Sequence, residues 1–174
     1  MDKKYNRGFT LAEITVAAAI TVVLFASSTG SYLFMKTALY GKFVEYNLTR
    51  DVNMALKRIT AGVNEGSVLY GLRSASSFTI TNVSTISYVG SDNNTRQYYP
   101  NGSSLIYSSP AQVPNQRTVY TAPPGSTFTL RFWEPSGYSG HETVGIYIGV
   151  SQPVGGKTVS GSVSTYVNIR NLSK

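Results

Sequence analysis

The chain between positions 7 and 35 reads R-G-F-T-L-A-E-I-T-V-A-A-A-I-T-V-V-L-F-A-S-S-T-G-S-Y-L-F-M. Glu13 is the single charged residue between Gly8 and Met35. Counted from Phe9, the run exceeds the roughly 20 residues that an α-helix needs to cross a lipid bilayer. A carboxylate inside such a segment costs about 2.5–3.5 kcal/mol at mid-membrane and less near the interface. Glu13 therefore indicates a role that a membrane anchor alone does not need.

The first eight residues are short and basic, with Lys3, Lys4 and Arg7 against a single acid, Asp2. Positive charge before an apolar segment keeps that end of the chain in the cytoplasm. The sequence therefore predicts a cytoplasmic leader, a single membrane crossing and an exported remainder.

Two simpler interpretations of this start leave part of it unexplained. A secretory signal peptide would be cut after Ser28, where Ala26 and Ser28 form a small-x-small site, but it does not call for an acid in its apolar core. A plain membrane anchor explains the length and the orientation. It does not explain why Gly8, Phe9 and Glu13 occur together.

The segment Gly8-Phe9-Thr10-Leu11-Ala12-Glu13, followed by an apolar helix, resembles the type IV prepilin signature. This family comprises pilins of type IV pili, pseudopilins of type II secretion and competence pseudopilins. The resemblance covers about the first 30 residues, and Ala12 stands where a bulkier aliphatic residue is usual. It implies that a membrane prepilin peptidase cuts between Gly8 and Phe9 and methylates the new amine of Phe9. A glycine before the cut suits a narrow active site, because its backbone carries no side chain.

The resemblance also implies a role for Glu13 in assembly. In a filament whose apolar helices are bundled, a carboxylate needs a partner because water is scarce. The family suggests the amine of Phe9 on a neighbouring subunit. Such a pair would fix the register of the subunits, since a shifted neighbour would leave a charge unpaired.

The helical pattern continues beyond the membrane segment. Apolar residues recur at spacings of mostly three to five and predict one buried face, and Gly62 is a suitable stop signal. The predicted division is a leader at 1–8, a membrane or filament-core helix at 9–35, an amphipathic continuation at 36–62 and a β-rich head at 63–174. The predicted face consists of Leu39, Phe43, Leu48, Val52, Leu56, Ile59 and Val63.

The head shows the period-two alternation of half-buried strands. Asn101-Gly102, between two tyrosine-rich runs, is a hairpin signal. An amphipathic helix packed on an antiparallel β-sheet is the economical arrangement, so the predicted class is α+β with a type IV pilin-like head. The alternating runs lie at 78–81, 86–88, 128–133, 144–150 and 165–170.

The composition offers little for catalysis. The 174 residues include no cysteine, one histidine and eight acidic residues, with a net charge of +7. No Ser–His–Asp or Cys–His set can be assembled, so we expect no enzyme and no cofactor. Gly155-Gly156-Lys157-Thr158 lacks the first glycine of a phosphate-binding loop and precedes a strand pattern, which favours a hairpin turn.

Three weaker interpretations concern the head. Glu134, His141 and Glu142 are too few for a metal site, and Asp92-Asn93-Asn94 favours a polar turn over a calcium loop. Arginines beside aromatic residues can bind single-stranded nucleic acid, but outer-face arginines that cover apolar surface with their stems are the simpler explanation. We therefore expect no metal and no nucleic acid. The arginines concerned are Arg73, Arg96, Arg117 and Arg131.

The predicted protein is a structural subunit of a filament in the bacterial inner membrane, with its head in the periplasm or outside. The order of strands at 79–107 and the closing run at 164–171 look like those of J-type minor pseudopilins and related minor pilins. The implied partners are other pilin-like subunits, the prepilin peptidase and an inner-membrane assembly platform. The alternative is a membrane-tethered receptor whose head binds a ligand or DNA, as in competence-type pilins.

Overall fold

The computed structural model describes residues 9–110, 114–136 and 143–169. The chain falls into two compact units, 1–40 and 41–174, and one helix, α1, runs from Leu11 to Ala61. The described strands are β1 Val63–Glu65, β2 Val68–Tyr70, β3 Ser77–Asn82, β4 Thr85–Val89, β5 Thr95–Asn101, β6 Ser104–Ser108, β7 Gln116–Thr121, β8 Thr127–Trp133, β9 Thr143–Val154 and β10 Lys157–Asn168, and a 3-10 turn spans Leu72–Ser74.

The helix ends where Gly62 predicts. Gly62 adopts φ +115°, a region that residues with a side chain rarely occupy. A Cβ placed there would lie 2.4 Å from the carbonyl carbon of Tyr70. Gly62 therefore ends the helix and allows the backbone at the end of β2 to lie close to it.

We expect Gly62→Ala to lower the free energy of unfolding by about 2 kcal/mol or more, because it combines backbone strain with a clash against main chain. The matched control is Gly41→Ala, inside α1, where the added Cβ meets no atom within 4 Å apart from the neighbouring turns of the helix backbone. The control should be neutral or stabilising by up to about 1 kcal/mol. Thermal unfolding of the full chain in detergent measures both, and equal stability of the two variants would contradict the prediction.

The strands of the head form antiparallel sheets rather than the single sheet that was predicted. Among the described residues, the strand order is β3-β4-β5-β6-β7 in one sheet, β10-β9-β8 in a second, and β1-β2 in a small hairpin. Pro123-Pro124 lies between β7 and β8, and prolines cannot donate ladder hydrogen bonds. The chain leaves the first sheet there, and β8 pairs with β9 instead.

The second half of α1 packs on both larger sheets. A Cβ at Gly161 of β10 would lie 2.6 Å from the backbone nitrogen of Thr49, so this glycine permits a close approach of strand and helix. On the other side, the Tyr98 hydroxyl donates to the Arg58 carbonyl oxygen at 3.0 Å, and the Arg58 guanidinium donates to the Val119 carbonyl oxygen. The α+β class is confirmed. The fully buried centre includes Val52, Ile59, Ile86, Tyr98, Leu105, Ile146 and Ile148.

Two details of the predicted pattern are wrong. Leu39 and Phe43 are 62% and 61% exposed, because the face of α1 that the sheets cover begins with the partly buried Val44 and the buried Leu48. Strand β9 is not half-buried: residues 143–150 are all buried except Tyr147. It is the middle strand of its sheet, and the side chains of Trp133 and Tyr147 cover the outer-face glycines Gly145 and Gly149.

Candidate functional site: the capped start of the apolar helix and a buried charge cluster

The start of α1 is closed by a reciprocal cap. The Thr10 backbone N–H and the Thr10 hydroxyl each donate to Glu13 Oε2 at 2.9 Å. In return, the Glu13 backbone N–H donates to Thr10 Oγ1 at 3.3 Å. This is a capping box, in which two helix-end donors are satisfied. Within this unit Glu13 is thus held as a solvent-exposed acid in the first turn of the helix.

The surface around Glu13 is apolar and uncovered within the unit. Every residue from 9 to 40 is exposed, including large side chains such as Phe9 at 84% and Phe25 at 74%. A continuous apolar surface of this kind needs lipid or protein to cover it. By length and composition, α1 can span a membrane once, with a mean hydropathy of 1.9 over its most apolar window. The other predicted processing and orientation residues, Lys3, Lys4, Arg7 and Gly8, lie outside the described residues.

The head contains a buried charge cluster centred on Arg96 of β5. Its guanidinium donates to both Glu65 oxygens at 3.2 and 2.7 Å, and to both Asp92 oxygens at 2.7 Å. A fifth bond reaches the Asn94 carbonyl oxygen at 3.1 Å, so all five N–H donors are used. The Arg96 side chain is 0% exposed and lies 3.7 Å above the Tyr70 ring.

The cluster holds its carboxylates in the charged form. Hydrogen bonds from Arg96 and Asn94 hold the pKa of the Asp92 carboxyl well below its usual value, despite partial burial. Burial alone would raise the pKa of Glu65, but bonds from Arg96 and from the Tyr107 hydroxyl, 2.5 Å away, outweigh it and the net pKa shift is downward. Burial lowers the pKa of Arg96, yet its bonds to Asp92 and Glu65 raise it above the ordinary value. The cluster therefore ties β1, just after the helix, to the β4–β5 turn.

This arrangement corrects the outer-face interpretation of Arg96. Arg96 shares the inner face of β5 with Tyr98, and both side chains are 0% exposed. Arg73, Arg117 and Arg131 are exposed, as predicted. Because its guanidinium is bonded to Glu65 and Asp92 inside the head, Arg96 is not available to bind nucleic acid.

The segments that were weighed and rejected as a metal site and a phosphate loop have other roles in the fold. Both Asp92 oxygens accept from Arg96, and the described residues contain no group of three His, Asp or Glu that can hold a metal ion. His141 and Glu142 lie outside the described residues. Gly155 and Gly156 form the β9–β10 hairpin turn with φ +56° and +79°. The prediction of a hairpin turn in place of a phosphate-binding loop is confirmed.

Comparisons with protein-family models, with curated proteins and with solved structures find no match for this chain.

Sequence reasoning missed two features that carry a local signal. Thr10-Leu11-Ala12-Glu13 before an apolar run has the spacing of a capping box. Arg96 lies two residues before Tyr98, and residues two apart in a strand face the same side. Glu65 had no such signal, because it is distant in sequence and the fold brings it to Arg96.

Proposed function

We propose that this chain is a pilin-like filament subunit, of the minor pseudopilin or minor pilin kind. The observation that supports it best is the exposed helix of residues 11–40, which carries a single acid in its first turn next to the predicted cleavage site. A helix that only anchors a head needs apolar length. A helix that bundles with others also needs a device that sets its register, and Glu13 is suited to that task.

In this proposal the leader stays in the cytoplasm of a bacterium, α1 crosses the inner membrane, and the head lies in the periplasm or outside. The prepilin peptidase removes residues 1–8 and methylates the Phe9 amine. The Glu13 carboxylate then pairs with the Phe9 amine of a neighbouring subunit when the helices leave the lipid. The subunit acts structurally, in priming, capping or building a filament with other pilin-like subunits and an inner-membrane assembly platform.

Processing gives the most direct test. We expect the mature protein from its native membrane to begin at an N-methylated Phe9, as read by mass spectrometry of its N-terminal peptide. Gly8→Val should leave an uncut chain beginning at Met1, because a side chain at that position obstructs a narrow peptidase site. Gly41→Val, a glycine substitution away from the predicted cut, should be processed normally.

Two results would contradict the proposal. A wild-type chain beginning at Thr29 would indicate a signal peptide, and an uncut wild-type chain would indicate a plain anchor. An uncut chain would leave the helix as a tether, a cut after Ser28 would remove most of the apolar segment, and either result moves the function to the head.

A further inference from the structure

A solvent-open cleft of about 700 Å³ lies at one end of the β8-β9-β10 sheet. Its volume falls in the range of sites that bind small molecules. Among the described residues, aromatic and uncharged polar side chains dominate its lining, and Glu134 supplies the one carboxylate. The described residues that line it include Trp133, Glu134, Ser136, Thr143, Tyr166 and Asn168.

Trp133 lies flat on the sheet beside the cleft. A Cβ at Gly145 would come within 2.2 Å of Trp133 Cε2 and 2.6 Å of Cδ2 and Cζ2. The indole therefore occupies the space above this glycine, which pairs with Trp133 on the neighbouring strand. Glycine here lets a large flat ring rest against the backbone.

Tyr166 of β10 stands against this ring. Its ring centroid is 5.9 Å from that of Trp133, and the two planes meet at 81°. Tyr166 is 62% exposed, and every other aromatic side chain in the described strands is buried or partly buried. Burial does not explain its position, so the pair forms an aromatic corner open to solvent.

Polar groups border the corner. The Thr143 hydroxyl donates to Asn168 Oδ1 at 2.8 Å, and this bond orients the Asn168 amide, whose NH₂ group has two donors. Ser136 adds a hydroxyl, and Glu134 adds a carboxylate on the same lining. Flat aromatic surface thus lies next to directional donors and acceptors.

We propose that this cleft, which Trp133 and Tyr166 line, binds a saccharide. The C–H faces of a sugar ring carry slight positive charge and suit the negative face of an aromatic ring, while its hydroxyls suit the amide, hydroxyl and carboxylate groups. The described lining contains no Lys or Arg, which disfavours phosphate and nucleic acid. The proposal concerns the head alone and does not depend on the pilin-like assignment.

The chain contains a single tryptophan, so the fluorescence of Trp133 reports on the cleft directly. Full-chain protein in a detergent without a sugar headgroup is titrated separately with chitotriose, maltotriose and cellotriose, and with sorbitol as an acyclic polyol. We expect a saturable change in Trp133 emission with at least one trisaccharide and none with sorbitol. Absence of a saturable change with all three sugars, or an equal response to sorbitol, would overturn the proposal.

Tyr166→Ala removes an exposed aromatic ring from the cleft. We expect it to raise the Kd for the bound trisaccharide by about tenfold. Tyr46→Ala is the matched control, since Tyr46 is an exposed tyrosine of α1 at 67%, and its Kd should equal that of the wild type. Unchanged affinity in Tyr166→Ala would refute the site. Near-UV circular dichroism confirms that both variants fold.

Discussion

Glu13→Gln is expected to stay in the membrane and to disappear from filaments or pilin-like complexes. Glutamine can replace glutamate in a capping box, so the bond from the Thr10 N–H is retained while the negative charge is lost. In the proposed assembly, the Phe9 amine of the neighbour is then left without its counter-ion in a low-dielectric bundle. Removing one partner of a buried pair typically costs about 3–5 kcal/mol, enough to abolish incorporation.

Thr10→Ala is the matched control for Glu13→Gln. It removes the hydroxyl that accepts from the Glu13 N–H and keeps the charge. Loss of an N-cap costs about 1 kcal/mol, so Thr10→Ala should still be incorporated. Co-purification with other pilin-like subunits, with membrane fractionation as a check on insertion, measures both variants.

The opposite pattern would change the interpretation of Glu13. If Thr10→Ala were lost from complexes and Glu13→Gln retained, Glu13 would serve the helix end alone. If both were retained, with intact function, the tethered-receptor alternative would be favoured. Glu13→Ala removes the charge and the bonds that the Glu13 carboxylate accepts from Thr10, and under the proposal it should behave like Glu13→Gln.

Arg96→Met is expected to lower the free energy of unfolding of the head by about 3–5 kcal/mol. Methionine fills part of the space but leaves Glu65, whose side chain is 7% exposed, without its cation. Arg117→Met is the control, because Arg117 is an exposed arginine of β7 and its replacement should change stability by less than about 0.5 kcal/mol. Thermal unfolding followed by Trp133 fluorescence compares the two, and similar melting temperatures would contradict the prediction.

The wild type and Arg96→Met should also differ in how their stability depends on pH. In the wild type the folded pKa values of Asp92 and Glu65 lie below their unfolded values, so this stabilisation is complete above the unfolded pKa, near pH 4, and is lost as the pH falls. In Arg96→Met the buried Glu65 loses its cation, so protonation relieves an unpaired charge. The difference in free energy of unfolding between the wild type and Arg96→Met should therefore become smaller from pH 7 to pH 3. A constant difference would argue against the charge cluster.

Much of the fold follows from local pattern. The apolar run and Gly62 determine the extent of α1, since both act through neighbouring residues. Alternation located β3, β4, β8, β9 and β10 but not β1, β2 or β7. Asn101-Gly102 located the β5–β6 turn, where Gly102 adopts φ +59°. These features depend on the backbone preferences of single residues and on the spacing of apolar side chains. Both are visible in a sequence window of a few residues.

The remaining features depend on partners that are distant in sequence. The separation of the strands into two larger sheets depends on which strands pair across the Pro123-Pro124 break. The covered part of α1 begins near Val44 because that is where the sheets reach it, and the spacing of Leu39 and Phe43 does not reveal this. The Arg96 cluster needs Glu65 from another strand, so the inner-face position of Arg96 could be predicted and its pairing with Glu65 could not.

The contact between Gly161 and the backbone at Thr49 affects when the head can fold during synthesis of the chain. Leu48, Val52 and Ile59 are made before the strands of the head, whereas β10, which covers part of that face, is made after the other described strands. Contacts between such distant segments form slowly, because a long loop must close before they stabilise anything. The head can therefore complete its core only after β10 has been released, and until then part of the apolar face of its helix remains uncovered.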